Sequence, residues 1–338
     1  MKTEILARII VILLVAVAIY IPFAGSILST KFSPVHVVDL HARMPENGGW
    51  STDTITAEVG KPLLLRMTSD DVVHSFAIGR MDLPAVEIRP GEVVETTLTF
   101  DRPGKYTYYC TRWCGMNHWR MRGTIEVTGP GTPVPPDPQP LFLKLGLSLD
   151  MPQPAEVTPA TAPAAEHGSQ YAGLLPAYAI SRDTYLTSSP AQLWLRLRGE
   201  LSLAELKDAD LWDLVTWIWQ QQTNPEKAAA GQKLFTANCA ACHGETGKGD
   251  GVMVRGLPVW DPASMQASGG DSSSLAERLF SPPNFSDPKV LLGTSPAFLE
   301  GKIIRGGMGT GMPYWGPILT GDQMDEIIAY LYTFVGKK

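Results

Sequence analysis

The sequence predicts a multidomain chain: one N-terminal transmembrane helix, an all-β sandwich and an all-α C-terminal domain, with a connector between the last two. Three observations predict it. Residues 9–28 carry no charge and are about as long as a helix needs to cross a hydrocarbon core. Between 37 and 127, short runs of β-branched and aromatic residues alternate with Gly and Pro turn signals. Beyond residue 223, apolar residues recur at helical spacing behind an Asn-Pro start. The 338 residues suffice for two domains and a linker. A net charge of −6 speaks against a nucleic-acid partner.

The boundaries expected are 1–31 for the anchor, 32–128 for the sandwich, 129–183 for a Pro/Ala-rich linker, 184–222 for a helical segment and 223–338 for the C-terminal domain. Lys2 and Arg8 precede the apolar run, so the N-terminus stays in the cytoplasm and everything after Lys31 lies outside a bacterial cytoplasmic membrane. A cleaved signal peptide is the alternative, with small residues at Ala24, Gly25 and Ser26 near a cut. Pro22 kinks the outer end of the helix. The strands expected are 37–40, 55–58, 62–67, 72–78, 93–100, 106–109 and 124–127, with turns at Gly60, Pro90-Gly91 and Pro103-Gly104. His36 and His41, before and on the first strand, read as surface residues.

Residues 110–121 place Cys110, Cys114, His118 and Met121 in one loop between two strands. Thiolate, thioether and imidazole ligands select copper or zinc, and ligand type alone leaves both open. A Cys110–Cys114 disulfide is the third reading. Upstream, Asp71-Val-Val-His74-Ser-Phe76 offers a further imidazole from a neighbouring strand.

Together, Asp-Val-Val-His74-Ser-Phe and Cys110-x3-Cys114-x3-His118-x2-Met121 resemble the binuclear copper (CuA) domain of subunit II of haem–copper oxidases, over roughly residues 36–128. The resemblance implies a cupredoxin-like fold. It implies that Cys110 and Cys114 bridge two coppers, that His74 and His118 each cap one, and that Met121 and the Arg112 carbonyl complete the set. Arg112 departs from the family, which usually has an acidic residue there that helps bind a metal at the border with subunit I.

After Gly129 the composition changes. Residues 130–140 and 151–165 are rich in proline, alanine and small polar residues, as extended connectors are, whereas 141–149 is apolar enough to dock on a surface. Helices are expected from Ser189-Pro190 and over 203–219. Two stretches here resemble later ones: Ser189-Pro-Ala to Gly199 with Ser295-Pro-Ala to Gly306, and Asp213-Leu-Val-Thr-Trp217-Ile-Trp219 with Glu326-Ile-Ile-Ala-Tyr330-Leu-Tyr332. The similarity has two readings, a remnant second cytochrome unit without a haem motif or a chance likeness of amphipathic helices.

Asn224-Pro225 starts a helix that runs into Cys239-Ala-Ala-Cys242-His243, the attachment signature of c-type haem. Two thiols at this spacing add to the haem vinyl groups, and the next residue puts an imidazole on the iron. A thioredoxin-like pair would leave the adjacent histidine without a reason. Electron carriers commonly add a methionine on the other face of the iron. Met308 and Met312 both lie in the right region, and resemblance to monohaem cytochromes c, over about residues 225–335, favours Met312 because it precedes a proline. A terminal helix over 320–334 presents Met324, Ile327, Ile328 and Leu331 to the first.

All four cysteines fall in two close pairs, which read as cofactor sites. No triad, phosphate loop or acid/base pair stands out, so no catalytic residue is expected in this chain. The resemblance implies the electron-input subunit of a haem–copper terminal oxidase. Its partners are the membrane, subunit I and other oxidase subunits, and an external donor: a soluble cytochrome, a cupredoxin or a membrane complex. Subunit I would reduce the oxygen. A CuA-containing nitric oxide reductase and an anchored copper-delivery protein are the competing readings.

Overall fold

A computed structural model of the chain describes residues 35–115, 117–256, 281–307 and 311–336. The anchor expected at residues 9–28 and the candidate Met308 lie outside the described residues. Among the described residues, no helix is long and apolar enough to cross a membrane.

The N-terminal domain is a cupredoxin-like β-sandwich. Its strands are β1 (His36–Ala42), β2 (Thr54–Glu58), β3 (Leu63–Ser69), β4 (His74–Ile78), β5 (Val86–Ile88), β6 (Val94–Leu98), β7 (Gly104–Tyr109) and β8 (Arg122–Thr128). They form sheets of order β1-β3-β6 and β2-β8-β7-β4-β5. Alternation decides which side chains meet between them: Leu63, Leu65 and Met67 of β3 point inward. Seven strands match the sequence pattern. The eighth, β5, is three residues long between Pro84 and Pro90, too short to show alternation, yet it covers the edge of β4 by pairing His74 with Ile88. At the centre, Tyr108 stacks on Phe76 at 5.5 Å, meets Trp50 edge-on at 5.6 Å and donates its hydroxyl to the Thr52 carbonyl. Gly123 faces Tyr108 across the ladder, and a Cβ there would lie 2.2 Å from the ring. The ring therefore needs a glycine opposite.

Beyond the sandwich, α1 (Leu141–Lys144) does dock: Phe142 and Leu149 bury against Phe298. The helices α2 (Ala165–Gly168), α3 (Arg182–Thr187), α4 (Pro190–Arg198) and α5 (Asp208–Gln222) follow. Ser189 caps α4 through a reciprocal capping box with Gln192. Leu193, Leu197, Leu211, Leu214 and Ile218 build a core with Trp194, Trp212 and Trp219. Here the structure differs from the expected linker, because residues 165–183 already fold onto this core. Ala164, Ala165 and Gly168 look like connector composition, but their smallness is what lets α2 approach α5. A Cβ on Gly168 would lie 2.2 Å from the Asp213 carbonyl oxygen.

The C-terminal domain comprises α6 (Pro225–Asn238), α7 (Ala240–His243), α8 (Pro288–Leu291), α9 (Pro296–Arg305) and α10 (Gly321–Leu331). Asn224 caps α6 by accepting from the Lys227 amide at 2.7 Å. Thr320 and Gln323 form a capping box on α10. Phe235, Met324, Ile327, Ile328 and Leu331 fill the core. The helices α6 and α10 cross at Gly231, where a Cβ would lie 1.9 Å from the Glu326 carbonyl oxygen. Asp213 and Glu326 occupy corresponding places in the two similar stretches, so α2–α5 and α6–α10 cross in the same manner. The two cores touch through Trp219 and Tyr332, 6.0 Å apart, and through the Ala191 amide on the Leu292 carbonyl at 3.0 Å.

Gly231→Val and Gly168→Val each force apart a backbone–backbone crossing. Overpacking costs about 1–3 kcal/mol, so both variants should show a lowered thermal midpoint by circular dichroism. A midpoint equal to that of the parent contradicts the crossings.

Candidate copper and haem sites

The ladder between β7 and β8 closes the neck of the metal-binding loop. Tyr109 pairs with Arg122, and one residue further in, the Cys110 amide donates to the Met121 carbonyl at 3.1 Å. The loop then folds back through a 3₁₀ turn at His118–Arg120. Strand β4 brings His74 beside it, fully buried. Every ligand candidate read from the sequence in this half of the chain arrives here, around the two sulfurs. His74 Nδ1 lies 3.9 Å and the Arg112 carbonyl oxygen 3.2 Å from Cys110 Sγ. His118 Nδ1 lies 3.4 Å and Met121 Sδ 3.8 Å from Cys114 Sγ. The ligand atoms of His74, Cys110 and Cys114 all lie within 4.8 Å of one another. Such a spacing fits metal, since the thiols are free and buried together.

Electrostatics favour deprotonation of one sulfur. Hydrogen bonding from the Cys114 thiol holds the Cys110 thiol far below its ordinary range, and the same bond pushes Cys114 up. Burial opposes a charged His74, but hydrogen bonds with Cys110 and Asp71 outweigh it and raise its pKa. Asp71 is the residue that sequence reasoning missed. Its carboxylate takes His74 Nε2 at 2.7 Å, the Met44 amide at 2.7 Å and Asn47 Nδ2 at 3.0 Å. Burial raises its pKa, yet these bonds together hold it well below the usual carboxylate range. The signal was present in the Asp-x-x-His spacing. By occupying Nε2, Asp71 turns Nδ1 toward the sulfurs.

The Arg112 side chain turns away from the sulfurs to pair with Glu87 on β5. Arg89 also reaches Glu87, at 2.7 Å. These bonds, from Arg89 first and then Arg112, lower the Glu87 pKa. His36 and His41 stay out of the site, and His41 pairs with Asp70 at 2.9 Å on the surface. A separate group, His167 with Asp210 and Asp213, lies at the surface, where His167 pairs with Asp213 at 2.7 Å and ties α2 to α5.

In the C-terminal domain, α6 ends at Asn238 and α7 presents Cys239, Cys242 and His243 within one turn. Burial pushes the Cys239 thiol up to about 12 and the His243 imidazole down to about 4, so both are neutral near pH 7. The ring of His243 stacks on Phe285 at 5.0 Å, and its buried Nδ1 has no partner among the described residues. A neutral imidazole is what a haem iron takes up, and the unpaired thiols suit thioether formation. The residues therefore fit a c-type haem. Met312 is half-buried, and its carbonyl accepts from the Gly307 amide at 3.2 Å, which fixes the loop that carries it. Gly306, at φ 74°, allows that approach.

A soft-donor site in a cupredoxin-like sandwich, followed by a haem-attachment helix in an all-α domain, defines a chain with two cofactor-type sites, one for a soft metal and one for c-type haem. Comparison with known proteins gives the families: residues 51–128 match the periplasmic domain of cytochrome c oxidase subunit II, and residues 228–334 match cytochrome c. The chain thus carries a subunit II periplasmic-type domain fused to a C-terminal cytochrome c domain. It is 38% identical over 79 residues to cytochrome c oxidase subunit 2 of Thermus thermophilus, 23% of this chain and 58% of the relative. A second such subunit, from another Thermus thermophilus source, is also 38% identical over 79 residues, 46% of its length. The chain spans about half the length of the curated relatives it matches. Among solved structures, a haem-copper terminal oxidase dimer matches at 23% identity, TM-score 0.25, over 34% of this chain and 96% of that one. The periplasmic domain of subunit II of cytochrome oxidase of Bradyrhizobium japonicum matches at 19%, TM-score 0.24, over 28% and 83%. Auracyanin B matches at 18%, TM-score 0.25, over 29% and 91%.

Loss of an outer-sphere acceptor typically lowers metal affinity by about 10–100-fold. Asp71→Asn should therefore release copper to a competing chelator about that much more readily while leaving the thermal midpoint of the haem domain in place. Cys242→Ser should leave one thioether, seen as a shifted pyridine haemochrome band; an unshifted band contradicts the assignment.

Proposed function

We propose that this chain is the electron-input subunit, subunit II, of a haem–copper terminal oxidase, carrying electrons from an external donor through its c haem and a binuclear copper centre toward an oxygen-reducing partner subunit. One observation carries the reading: two thiols share one loop with two imidazoles beside them, and the same chain holds a Cys-x-x-Cys-His turn. A structural zinc site is satisfied by four ligands. Six donors around two adjacent thiols suit two metal ions: Cys110, Cys114, His74, His118, Met121 and the Arg112 carbonyl would hold a binuclear copper centre.

When bound, the copper pair and the haem supply one-electron redox chemistry. The chain's own residues hold the donors in place, Asp71 setting the ring of His74 and the β7–β8 neck setting both sulfurs. His243 and Met312 would hold the haem iron in this reading. Neither site leaves an evident position for substrate, which supports transfer rather than catalysis here. Residues 1–31 anchor the chain, and both domains face the outer side of the cytoplasmic membrane. The match to a domain described as periplasmic supports that side. The helices over 165–222 are in this reading a second cytochrome-like unit without haem, supported by the matching glycine crossings and by their packing against the haem-domain core.

Metal analysis of the purified full-length chain should return two coppers and one haem iron, with an unpaired electron shared between both coppers in the oxidised state. Zinc, or a single copper, sinks the proposal. Turnover of the purified complex with oxygen and with nitric oxide then decides the acceptor, and reduction of nitric oxide alone would replace the oxidase with a nitric oxide reductase.

A further inference from the structure

The two cofactor domains are in contact, and the contact sits one residue away from the copper ligands. Tyr109 and Arg122 face each other on the β7–β8 ladder, and the next residues inward on the same strands are Cys110 and Met121. Both outer residues reach the haem domain. Tyr109 packs against its core. The Arg122 guanidinium lies 4.6 Å over the ring of Tyr314 and 5.4 Å from that of Trp315, and donates to the Tyr314 carbonyl. Tyr314 follows Met312 by two residues, so this one side chain connects the neighbour of a copper ligand with the loop of the candidate iron ligand.

A second pair of contacts flanks the first. Gly79 abuts Pro317 and Ile318 so closely that a Cβ would lie 2.6 Å from the Pro317 carbonyl oxygen. Arg80, at φ 61°, donates its amide to the Ile318 carbonyl at 3.0 Å. Its guanidinium takes Asp137 of the connector at 2.6 and 2.8 Å and the Gly316 carbonyl. Residues 314–318 are therefore held by the ends of β4, β7 and β8; the ends of β7 and β8 adjoin Cys110 and Met121, while His74 starts β4 at its other end. A flexible tether alone would give only a millimolar effective concentration and random orientation. Stacked and hydrogen-bonded guanidinium contacts add direction, which lysine does not match.

We propose that Arg122 is a positioning residue that clamps the cytochrome domain onto the copper domain, so that the electron step between the two centres occurs across a fixed interface rather than by collision of tethered domains. This rests on the reading of both sites given above. One electron leaves ferrous haem, which becomes ferric, and reduces the copper pair by one; no bond or proton moves.

The test uses the full-length, haem- and copper-loaded chain and its Arg122→Ala and Gly79→Val variants. Amide exchange at Arg80, whose amide donates to the Ile318 carbonyl across the interface, reports docking whether or not the metals load. The parent should be protected there, and both variants should exchange at least about tenfold faster. After pulse reduction of the haem, equilibration with copper in the parent should not change with solvent viscosity. In Arg122→Ala it should slow at least tenfold and become viscosity-dependent, with the copper and haem spectra unaltered; Arg122→Lys should recover only part of the rate. Fast exchange at Arg80 in the parent, a viscosity-dependent parent rate, or an Arg122→Ala rate equal to the parent's overturns the clamp. Protected amides in a chain that takes up no copper would leave the clamp standing and remove the redox reading instead.

Discussion

A single backbone hydrogen bond, from the Cys110 amide to the Met121 carbonyl, closes the loop on which the copper site depends. It is the last rung of the β7–β8 ladder, and it fixes three things at once. It sets both ends of a twelve-residue loop, so Cys114 and His118 return to the Cys110 sulfur instead of spreading into solvent. It aims Met121 inward beside Cys114, at 3.8 Å. By strand alternation, it turns the flanking pair Tyr109 and Arg122 outward, onto the haem domain. Metal site and docking face are thus opposite consequences of one register, and a slip of one residue would exchange them.

The sandwich behind this rung is built to hold it. Tyr108 lies between Trp50 and Phe76 and over Gly123, and its hydroxyl is satisfied by Thr52. Three interlocked aromatic rings leave little freedom to the strands that carry Cys110 and Arg122. On the other side of the interface the glycine crossings perform the comparable task, drawing α6 onto α10 so that the turn bearing His243 and the loop bearing Met312 are parts of one packed body. Phe235, under α7, contacts His243, Tyr330 and Phe334.

Polar residues supply orientation. The buried histidine of β4, His74, is steered by Asp71, which is itself tied down by the Met44 amide and Asn47. Arg112, whose carbonyl lies 3.2 Å from the Cys110 sulfur, places its charge on Glu87 at the surface. Its backbone and its side chain therefore answer to different neighbours. An arginine is compatible with this position because only the carbonyl faces the sulfurs.

The sequence by itself determined the candidate donor types and their order: two cysteine pairs, the histidines at 74, 118 and 243, and the methionines at 121, 308 and 312. It also determined seven of the eight strands and the starts of the main helices, because alternation, capping residues and fixed short spacings are local properties of a chain. It did not disclose β5, whose three residues between prolines are too short to alternate, nor the helical packing of residues 165–183, whose small residues resemble a linker until a partner helix is present. The gathering of His74 and His118 around the two thiols, the hold of Asp71 on His74, and the approach of Arg122 to Tyr314 were decided only by the tertiary structure. Each joins residues between 3 and 192 positions apart, or selects one face of a ring, and such choices depend on strand register and interdomain packing that no local pattern encodes.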